Sequence, residues 1–291
     1  MRGDLNAFKV ERPKTLDEAL RLLAKKDRPM PIAGGTDLYV GINDGKPRAT
    51  RYLDLSPLRK QLRGITLTKA GLQLGAMTTY TDLRRSADVK KLCPVLIAVA
   101  KDVGAIAIQN RGTLGGSLGN ASPASDPAPV LMALDAHVEV AHAGGKRIIP
   151  LHEYFLGYRK TALRPDELIV SILLPRDHFA DWKIGYRKVG TRRAQAISKV
   201  VIATALKIGK GARVEGARLC FGSVAATTVR ARHAEAMLLG EVLDAKVILR
   251  AQAALSEDIT PIDDVRSTAD YRMHVARTLL GAQLTAARPK R

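Results

Sequence analysis

Residues 109–126 read QNRGTLGGSLGNASPASD and interrupt the apolar patterning on both sides of them. Four of these residues are glycine: Gly112, Gly115, Gly116 and Gly119. Half of the others have hydroxyl or amide side chains, and no acidic residue of the stretch precedes Asp126. Because glycine lets a ligand approach the main chain, a rigid loop of this composition suits an anion such as phosphate. The alternative interpretation is a long surface loop that only links two elements, because such a loop has the same composition.

The segments around this stretch are strongly apolar. PVLIAVAKDVGAIAI precedes it, and Pro94 fits the first turn of a helix there. PVLMALDAHVEV follows it, and Asp126 is placed to cap a helix that runs through Leu134. The pattern therefore predicts a loop held at both ends by buried structure.

Another glycine-rich segment lies upstream; below it is called the first glycine stretch, and residues 109–126 are called the second. The capping box TLDE at Thr15 begins a predicted helix over Leu16 to Lys25, and the strand PMPIA then leads into Gly34-Gly35-Thr36-Asp37-Leu38. Backbone amides could turn toward a ligand here, although a simple tight turn would have the same kind of sequence. Neither stretch matches GxGxxG or GxxxxGK[ST], so a Rossmann or Walker loop is not indicated.

The remaining pattern predicts an α+β protein with a break near residue 178. Before the break we expect strands at RYLDLS, in a hairpin from Gly64, at HVEVAH paired with KRIIPL, and at LIVSILLP. After the break come three strands, WKIGYRKV, ISKVVIATALKI and RVEGARLCFG, and then three helical segments starting near Thr228, Asp244 and Ala269.

Composition narrows the function. The 291 residues suggest roughly two domains, and no apolar run approaches the ~20 residues of a membrane span. The amino terminus does not resemble a signal peptide, so we expect a cytoplasmic protein.

The net charge of +19 is scattered along the chain and aromatic residues are scarce, which disfavours binding to nucleic acid. An acidic partner protein or a solvated surface remain as explanations of the charge. Cys93 and Cys220 read as buried free thiols.

Five motifs in order resemble one family. AGGTDL, NRGTLGGSLGNASPASD, PDELIVSILLP, YRKVGTRRAQAISKV and DDVRSTADYR are similar to segments of the FAD-binding subunit of the molybdenum hydroxylases, over about residues 8–280. The resemblance implies a two-subdomain FAD-binding domain of the vanillyl-alcohol-oxidase (PCMH) type over residues 1–177, with subdomains of about 1–57 and 58–177. It implies a smaller α+β domain, a three-stranded antiparallel sheet with helices, over residues 178–291.

The resemblance also implies a set of flavin contacts. The two glycine stretches would wrap the FAD pyrophosphate and ribityl chain, Asp126 would bond ribityl or ribose hydroxyls, and Ile169 and Lys188 would lie beside the flavin ring. The matching positions in the stretches are Pro31, Ile32, Ala33, Gly34, Gly35, Thr36, Asp37, Leu38, Thr113, Leu114, Gly115, Gly116 and Ser117. We also predict that Tyr186 packs against the edge of the flavin ring. The family often has arginine where this chain has Gln109, and asparagine or aspartate where it has Ser117.

The function implied is electron transfer in a heterotrimer. A large molybdopterin subunit would oxidise the substrate, a small subunit with two [2Fe-2S] clusters would relay electrons to noncovalent FAD in this chain, and the flavin would reduce NAD, oxygen or a quinone. A dimer of heterotrimers is expected, with no catalytic acid-base residue and no metal ligand in this chain. A flavin-free regulatory or assembly module and a stand-alone FAD oxidase are the alternatives. We expect valine at Gly115 or Gly116 to exclude FAD while leaving the core intact.

Overall fold

The computed structural model describes residues 7–192 and 194–289 of the chain. Its α-helices are α1 (Leu16–Leu23), α2 (Leu38–Asn43), α3 (Arg59–Leu62), α4 (Tyr80–Arg85), α5 (Ala87–Leu92), α6 (Val95–Asp102), α7 (Ile106–Arg111), α8 (Leu114–Asn120), α9 (Pro127–Ala133), α10 (Leu151–Tyr154), α11 (Arg232–Ala236), α12 (Ala245–Asp258) and α13 (Ala269–Ala287). Short 3-10 turns lie at Ser56–Leu58, Arg176–His178 and Lys210–Ala212.

The strands of the first part form a three-stranded sheet, a five-stranded sheet and a separate two-stranded pair. They are β1 (Lys9–Glu11), β2 (Met30–Ile32), β3 (Arg51–Asp54), β4 (Ile65–Leu67), β5 (Gly71–Gly75), β6 (His137–His142), β7 (Gly145–Pro150), the short pair β8 (Phe155–Gly157) and β9 (Lys160–Thr161), and β10 (Leu168–Pro175). A parallel sheet has the order β1-β3-β2, and an antiparallel sheet has the order β4-β5-β10-β6-β7. The first glycine stretch follows the carboxyl end of β2.

A four-stranded sheet follows the predicted break. Its strands are β11 (Lys183–Gly190), β12 (Ser198–Ile208), β13 (Val214–Gly222) and β14 (Val229–Arg230), all antiparallel and adjacent in chain order. The sequence predicted the first three of these strands, and the two-residue β14 adds a fourth. Helices α11, α12 and α13 cover one face through a core that includes Phe221, Leu255 and Leu280.

The largest core joins the two parts. It is built around the five-stranded sheet and helices α4, α5, α6, α8, α9 and α10, and it also takes in Ala203 and Ala205 of β12 and Cys220 of β13. Both cysteines are buried and free, as predicted. In the part of the chain that the structure describes, no helix is long and apolar enough to cross a bilayer.

The main error of the sequence prediction lies in residues 109–126. The predicted continuous loop is mostly helical, because α7 continues to Arg111 and Leu114–Asn120 form α8. Thr113 is the N-cap of α8, and its hydroxyl accepts from the Gly116 N–H. Leu114 and Leu118 are fully buried, so tertiary packing stabilises a helix that three glycines make intrinsically weak.

Candidate functional site

The two glycine stretches meet each other. Gly34 lies so close to the carbonyl oxygen of Arg111 that a Cβ at Gly34 would be 1.9 Å from that oxygen. The Arg111 side chain also reaches back, with its Nε 3.4 Å from the Gly34 carbonyl oxygen. Glycine at position 34 is therefore required by the contact between the two backbones.

The first stretch presents free donors. Among the described residues, no backbone N–H from Gly34 to Leu38 donates a hydrogen bond within the protein, and the first return bond is Tyr39 N–H to the Gly35 carbonyl at 2.9 Å. Gly35 has φ of +72°, the left-handed region that glycine adopts without strain. Unpaired N–H groups need an acceptor, and a concave run of them suits an anion.

The second stretch uses its donors internally. Leu114 N–H donates to the Thr78 carbonyl at 3.0 Å, Gly115 N–H to the Ala76 carbonyl at 2.8 Å, and Ser117 N–H to the Thr113 carbonyl at 3.0 Å. The expectation that this stretch offers exposed N–H groups to an anion is therefore wrong for these three amides.

Gly115 and Gly116 face different surroundings. A Cβ at Gly115 would lie 2.8 Å from both the Cβ and the carbonyl oxygen of Ala76, whereas a Cβ at Gly116 would meet only the Thr113 hydroxyl, also at 2.8 Å. Valine at Gly115 would disturb the core, so the expectation of an intact core in that variant is wrong. At Gly116 the only close neighbour of a Cβ is the Thr113 hydroxyl, so a side chain there would disturb this helix cap rather than the core.

A cavity of about 430 Å³, here called the inner cavity, lies between the two stretches. Ala33, Gly34, Gly35 and Thr36 contribute to one side and Thr113, Gly115, Gly116 and Ser117 to the other. The predicted residues Pro31, Asp37, Leu38 and Ile169 also line it. Ile32 lines a neighbouring cavity instead, and Leu114 points into the core.

The inner cavity has residues that the sequence reasoning missed. Met77, Tyr80, Val103, Ile108, Gly119 and Leu168 line its walls. Tyr80 is buried, which raises the pKa of its hydroxyl to about 12, and the nearby Ser117 side chain opposes that rise. Val103 and Ile108 belong to the apolar run before residues 109–126, and Gly119 lies within that stretch, whereas Met77, Tyr80 and Leu168 come from distant segments that carry no local signal of a site.

Asp126 and Lys188 form a buried ion pair. Lys188 Nζ donates to Asp126 Oδ2 at 2.6 Å and to the Asp102 carbonyl at 2.8 Å. Burial raises the pKa of the Asp126 carboxyl to about 6, and the Lys188 charge opposes that rise. Asp126 Oδ1 is buried without a hydrogen-bond partner, so the carboxylate keeps one acceptor for another donor.

The ion pair lies behind the inner cavity. Neither of its residues is among the residues that line the inner cavity, but Ser125 joins them to it, because the Ser125 and Ser117 hydroxyl oxygens are 2.9 Å apart. Tyr186 also lies near the pair rather than on the cavity wall, and its hydroxyl is buried without a partner. Burial, with the charges of Asp126 and Asp102, raises the pKa of that hydroxyl.

The two departures from the family pattern have local explanations. Gln109 is buried, and its amide nitrogen donates to the carbonyls of Lys101 at 3.1 Å and Val103 at 3.0 Å, while its oxygen accepts from Arg84. An arginine at position 109 could donate to the same carbonyls but could not accept from Arg84. The Ser117 hydroxyl is hydrogen-bonded to the Ser125 hydroxyl at 2.9 Å.

This arrangement fits a flavin dinucleotide. The five unpaired N–H groups suit a pyrophosphate, and Met77, Ile108 and Ile169 give apolar walls for a flat ring. Arg48 adds a positive charge at the cavity and is held by Asp37 at 3.0 Å and Asn120 at 2.7 Å. In the part of the chain that the structure describes, no group of three or more His, Cys, Asp or Glu side chains could hold a metal ion.

Comparison with protein families gives two matches. The family model described as the FAD binding domain in molybdopterin dehydrogenase matches residues 6–177. The model described as the CO dehydrogenase flavoprotein C-terminal domain matches residues 185–287.

Individual relatives agree with these matches. The xanthine dehydrogenase FAD-binding subunit of Escherichia coli is 29% identical over 92% of this chain and 91% of its own. The glyceraldehyde dehydrogenase medium chain of Sulfolobus acidocaldarius is 30% identical over 94% and 95%. A solved structure of carbon monoxide dehydrogenase from Hydrogenophaga pseudoflava superposes with a TM-score of 0.90 at 29% identity, over 96% of each chain.

Proposed function

The chain belongs to the FAD-binding subunits of the molybdopterin dehydrogenases, and from this premise we propose that it carries electrons between an iron-sulfur subunit and a diffusible acceptor. FAD suits this position because it accepts electrons singly and releases them in pairs. The observation that carries the proposal is the run of unpaired N–H groups from Gly34 to Leu38 at the inner cavity.

Each side of the inner cavity would hold a different part of FAD. The first stretch would bind the pyrophosphate through Gly34–Leu38 N–H groups, with Gly116 leaving room for it on the facing helix. The flavin ring would lie against Ile169. The unsatisfied Asp126 oxygen would accept from a ribityl hydroxyl after the wall formed by Ser117 and Ser125 moves aside on binding, because Asp126 is not among the residues that line the cavity. Lys188 would fix the Asp126 carboxylate for that contact through its 2.6 Å ion pair.

The proposed complex has two further kinds of subunit. A large molybdopterin subunit would oxidise the substrate, and a small [2Fe-2S] subunit would deliver electrons one at a time, in a dimer of heterotrimers in the cytoplasm. The terminal acceptor would be NAD, oxygen or a quinone. The names of relatives as medium chains and FAD-binding subunits support this arrangement. We also propose the domain division at residues 177 and 178, which the limits of the two family matches support.

Metal and flavin analysis of the protein purified from its host tests the proposal. We expect FAD, molybdenum and iron to copurify with this chain and with one larger and one smaller chain. A colourless chain with its partners attached would favour a flavin-free assembly module. A chain isolated alone, without metals, that oxidises an aldehyde or an N-heterocycle would make it a stand-alone oxidase.

Acid precipitation tests the mode of attachment. Flavins are anchored covalently through histidine, cysteine or tyrosine, and the described wall of the inner cavity contains only Tyr80 of these types. Its hydroxyl is buried. We therefore expect the flavin to be noncovalent and to appear in the supernatant. Yellow colour that stays with the pellet would contradict this.

A further inference from the structure

A second cavity, here called the outer cavity, lies next to the first glycine stretch. Its volume is about 520 Å³, within the range of roughly 300–1,000 Å³ typical of small-molecule sites. Ala33 and Gly34 of the first stretch line both cavities, as do Met77 and Thr113, so the two cavities are neighbours that share part of their walls. The unpaired amides and the facing helix α8 already give the inner cavity the features that FAD needs, which leaves the outer cavity without an assigned ligand.

The floor of the outer cavity is aromatic and apolar. Phe8 and Tyr52 pack edge to face with ring centroids 5.8 Å apart, Ile32 and Ile42 lie beside them, and Tyr39 also lines the cavity. Aromatic side chains in a concave wall are a common surface for a flat heterocyclic ring.

One buried polar group in this floor lacks a partner. Tyr52 is only 3% exposed, and its hydroxyl has no hydrogen-bond partner among the described residues. A buried hydroxyl that stays unpaired destabilises the protein, so such groups usually mark the place of a ligand or an ordered water. The hydroxyl can both donate and accept, which matches the edge of a nucleobase.

The rim of the outer cavity is cationic. Arg59, Arg63 and Arg111 line it, and Asp54 is the acidic residue among the lining residues. Asp54 is already paired with Arg12 at 3.0 Å, and Arg63 is held in place by Asp82 at 2.7 Å. The guanidinium of Arg59 has no ion-pair partner in the described chain and is exposed to solvent. The rim therefore favours an anion, and arginine is well suited to phosphate.

We propose that the outer cavity is a second nucleotide site, which binds a nucleoside monophosphate while FAD occupies the inner cavity. The base would lie on the aromatic floor with its edge at the Tyr52 hydroxyl, and the phosphate would lie at the rim near Arg59. Because the first stretch forms part of both walls, the bound nucleotide also contacts the segment that holds the flavin pyrophosphate.

Calorimetric titration of the FAD-loaded protein with AMP, and with adenosine as the uncharged probe, tests this site. We expect AMP to bind about tenfold more tightly than adenosine and to leave the flavin bound. Arg59→Gln should remove that tenfold preference. Lys60→Gln is the matched control, since Lys60 is exposed, carries the same charge, is the next residue of α3 and does not line the cavity.

Tyr52→Phe tests the floor. The variant should lower the affinity for both AMP and adenosine by about threefold to tenfold, as expected for the loss of one hydrogen bond. The thermal midpoint of the nucleotide-free variant should stay the same or rise, because the variant removes a buried unpaired hydroxyl and keeps the ring. A purely structural role for the hydroxyl would lower the midpoint instead.

Three results would overturn the proposal. The first is the absence of AMP binding at millimolar concentration. The second is release of FAD by AMP, which would make the outer cavity part of the flavin site. The third is an equal loss of affinity in Lys60→Gln and Arg59→Gln, which would indicate attraction to bulk charge. The calorimetric readout does not require a partner subunit, so an error in the proposed electron-transfer role leaves this test intact.

Discussion

The two glycine stretches look alike in sequence and differ in structure. From Gly34 to Leu38 the backbone is an open turn whose N–H groups have no partner in the described chain. From Leu114 to Asn120 it is a helix whose first amides donate to Thr78, Ala76 and Thr113. Glycine permits a free backbone in the first case and close packing in the second.

This difference separates two uses of glycine that composition cannot distinguish. In the first stretch the glycines serve the contact with Arg111 and the left-handed turn at Gly35. In the second, Gly115 lets the helix lie against Ala76, while Gly116 leaves space at the inner cavity. The substitutions below ask which use applies at each position.

Gly34→Ala should have the largest effect. Its methyl group would lie 1.9 Å from the Arg111 oxygen, and backbone on both sides must move to relieve that contact. We expect a loss of about 3 kcal/mol in the free energy of unfolding, together with loss of FAD. Chemical denaturation and the flavin absorbance per chain measure the two effects.

Gly157→Ala is the control for Gly34→Ala. A Cβ at Gly157 would have its nearest neighbour at 3.9 Å, an ordinary contact. It should leave both flavin content and stability within about 0.5 kcal/mol of the parent protein. Full flavin occupancy in Gly34→Ala would show that the two stretches can separate without harm to the site.

Gly115→Ala and Gly116→Ala should give different kinds of damage. At Gly115 the clash with the Ala76 backbone should exceed the gain of about 1 kcal/mol from replacing a helical glycine, so unfolding becomes easier by roughly 1–2 kcal/mol. At Gly116 the same gain offsets the disturbed Thr113 cap, so stability should change little while FAD affinity falls.

Equilibrium unfolding of the flavin-free proteins and titration with FAD separate these two outcomes. The comparison fails if Gly116→Ala is as unstable as Gly115→Ala, since both glycines would then serve packing. It also fails if Gly116→Ala binds FAD as well as the parent protein does.

The sequence predicted most elements but misjudged how the second stretch folds. Local patterning was sufficient for α1, for the β6–β7 hairpin and for the helices of the last part, because their apolar spacing and caps lie within a few residues. Helix α8 has no such local signal. Its stability depends on Leu114, Leu118 and the Ala76 carbonyl, and Ala76 lies in a different part of the chain.

The candidate site shows the same limit. Resemblance to a family pointed to Asp126 and Lys188 separately, but their 2.6 Å ion pair joins residues 62 positions apart. The bond from Arg84 to Gln109 likewise joins distant positions, and it explains why glutamine fits there. Motifs identify the positions of a site, whereas partners across the fold determine what each side chain does.

Glu167→Gln tests a part of the inner-cavity lining that lies outside both glycine stretches. Glu167 is fully buried at its side chain, accepts from Arg147 at 2.6 and 2.8 Å, and accepts from the Arg164 N–H at 2.7 Å. The hydrogen bond from Arg147 holds the pKa of this carboxyl below its ordinary value of 4.5. We expect the variant to lose about 2 kcal/mol at pH 7.

The pH dependence of that loss is the sharper measurement. A carboxyl whose pKa is lowered on folding stabilises the protein above its unfolded pKa, and this stabilisation disappears as the pH falls through the folded value. The difference in unfolding free energy between the parent and Glu167→Gln should therefore shrink below about pH 4.5. A difference that stays constant from pH 7 to pH 3.5 would show that lost shape, rather than lost charge, causes it.

Gly119→Ala should have the smallest effect, and its sign is opposite to the others. Gly119 is helical, lines the inner cavity, and would place a Cβ 3.9 Å from Ile169, an ordinary contact. Alanine restricts the unfolded chain and favours helix, so the flavin-free protein should gain about 0.5–1 kcal/mol. Flavin content should not change, because the methyl group fits the space. A stability loss would mean that α8 needs glycine along its whole length, and the distinction between glycines that pack and glycines that leave space would then not hold beyond Gly115 and Gly116.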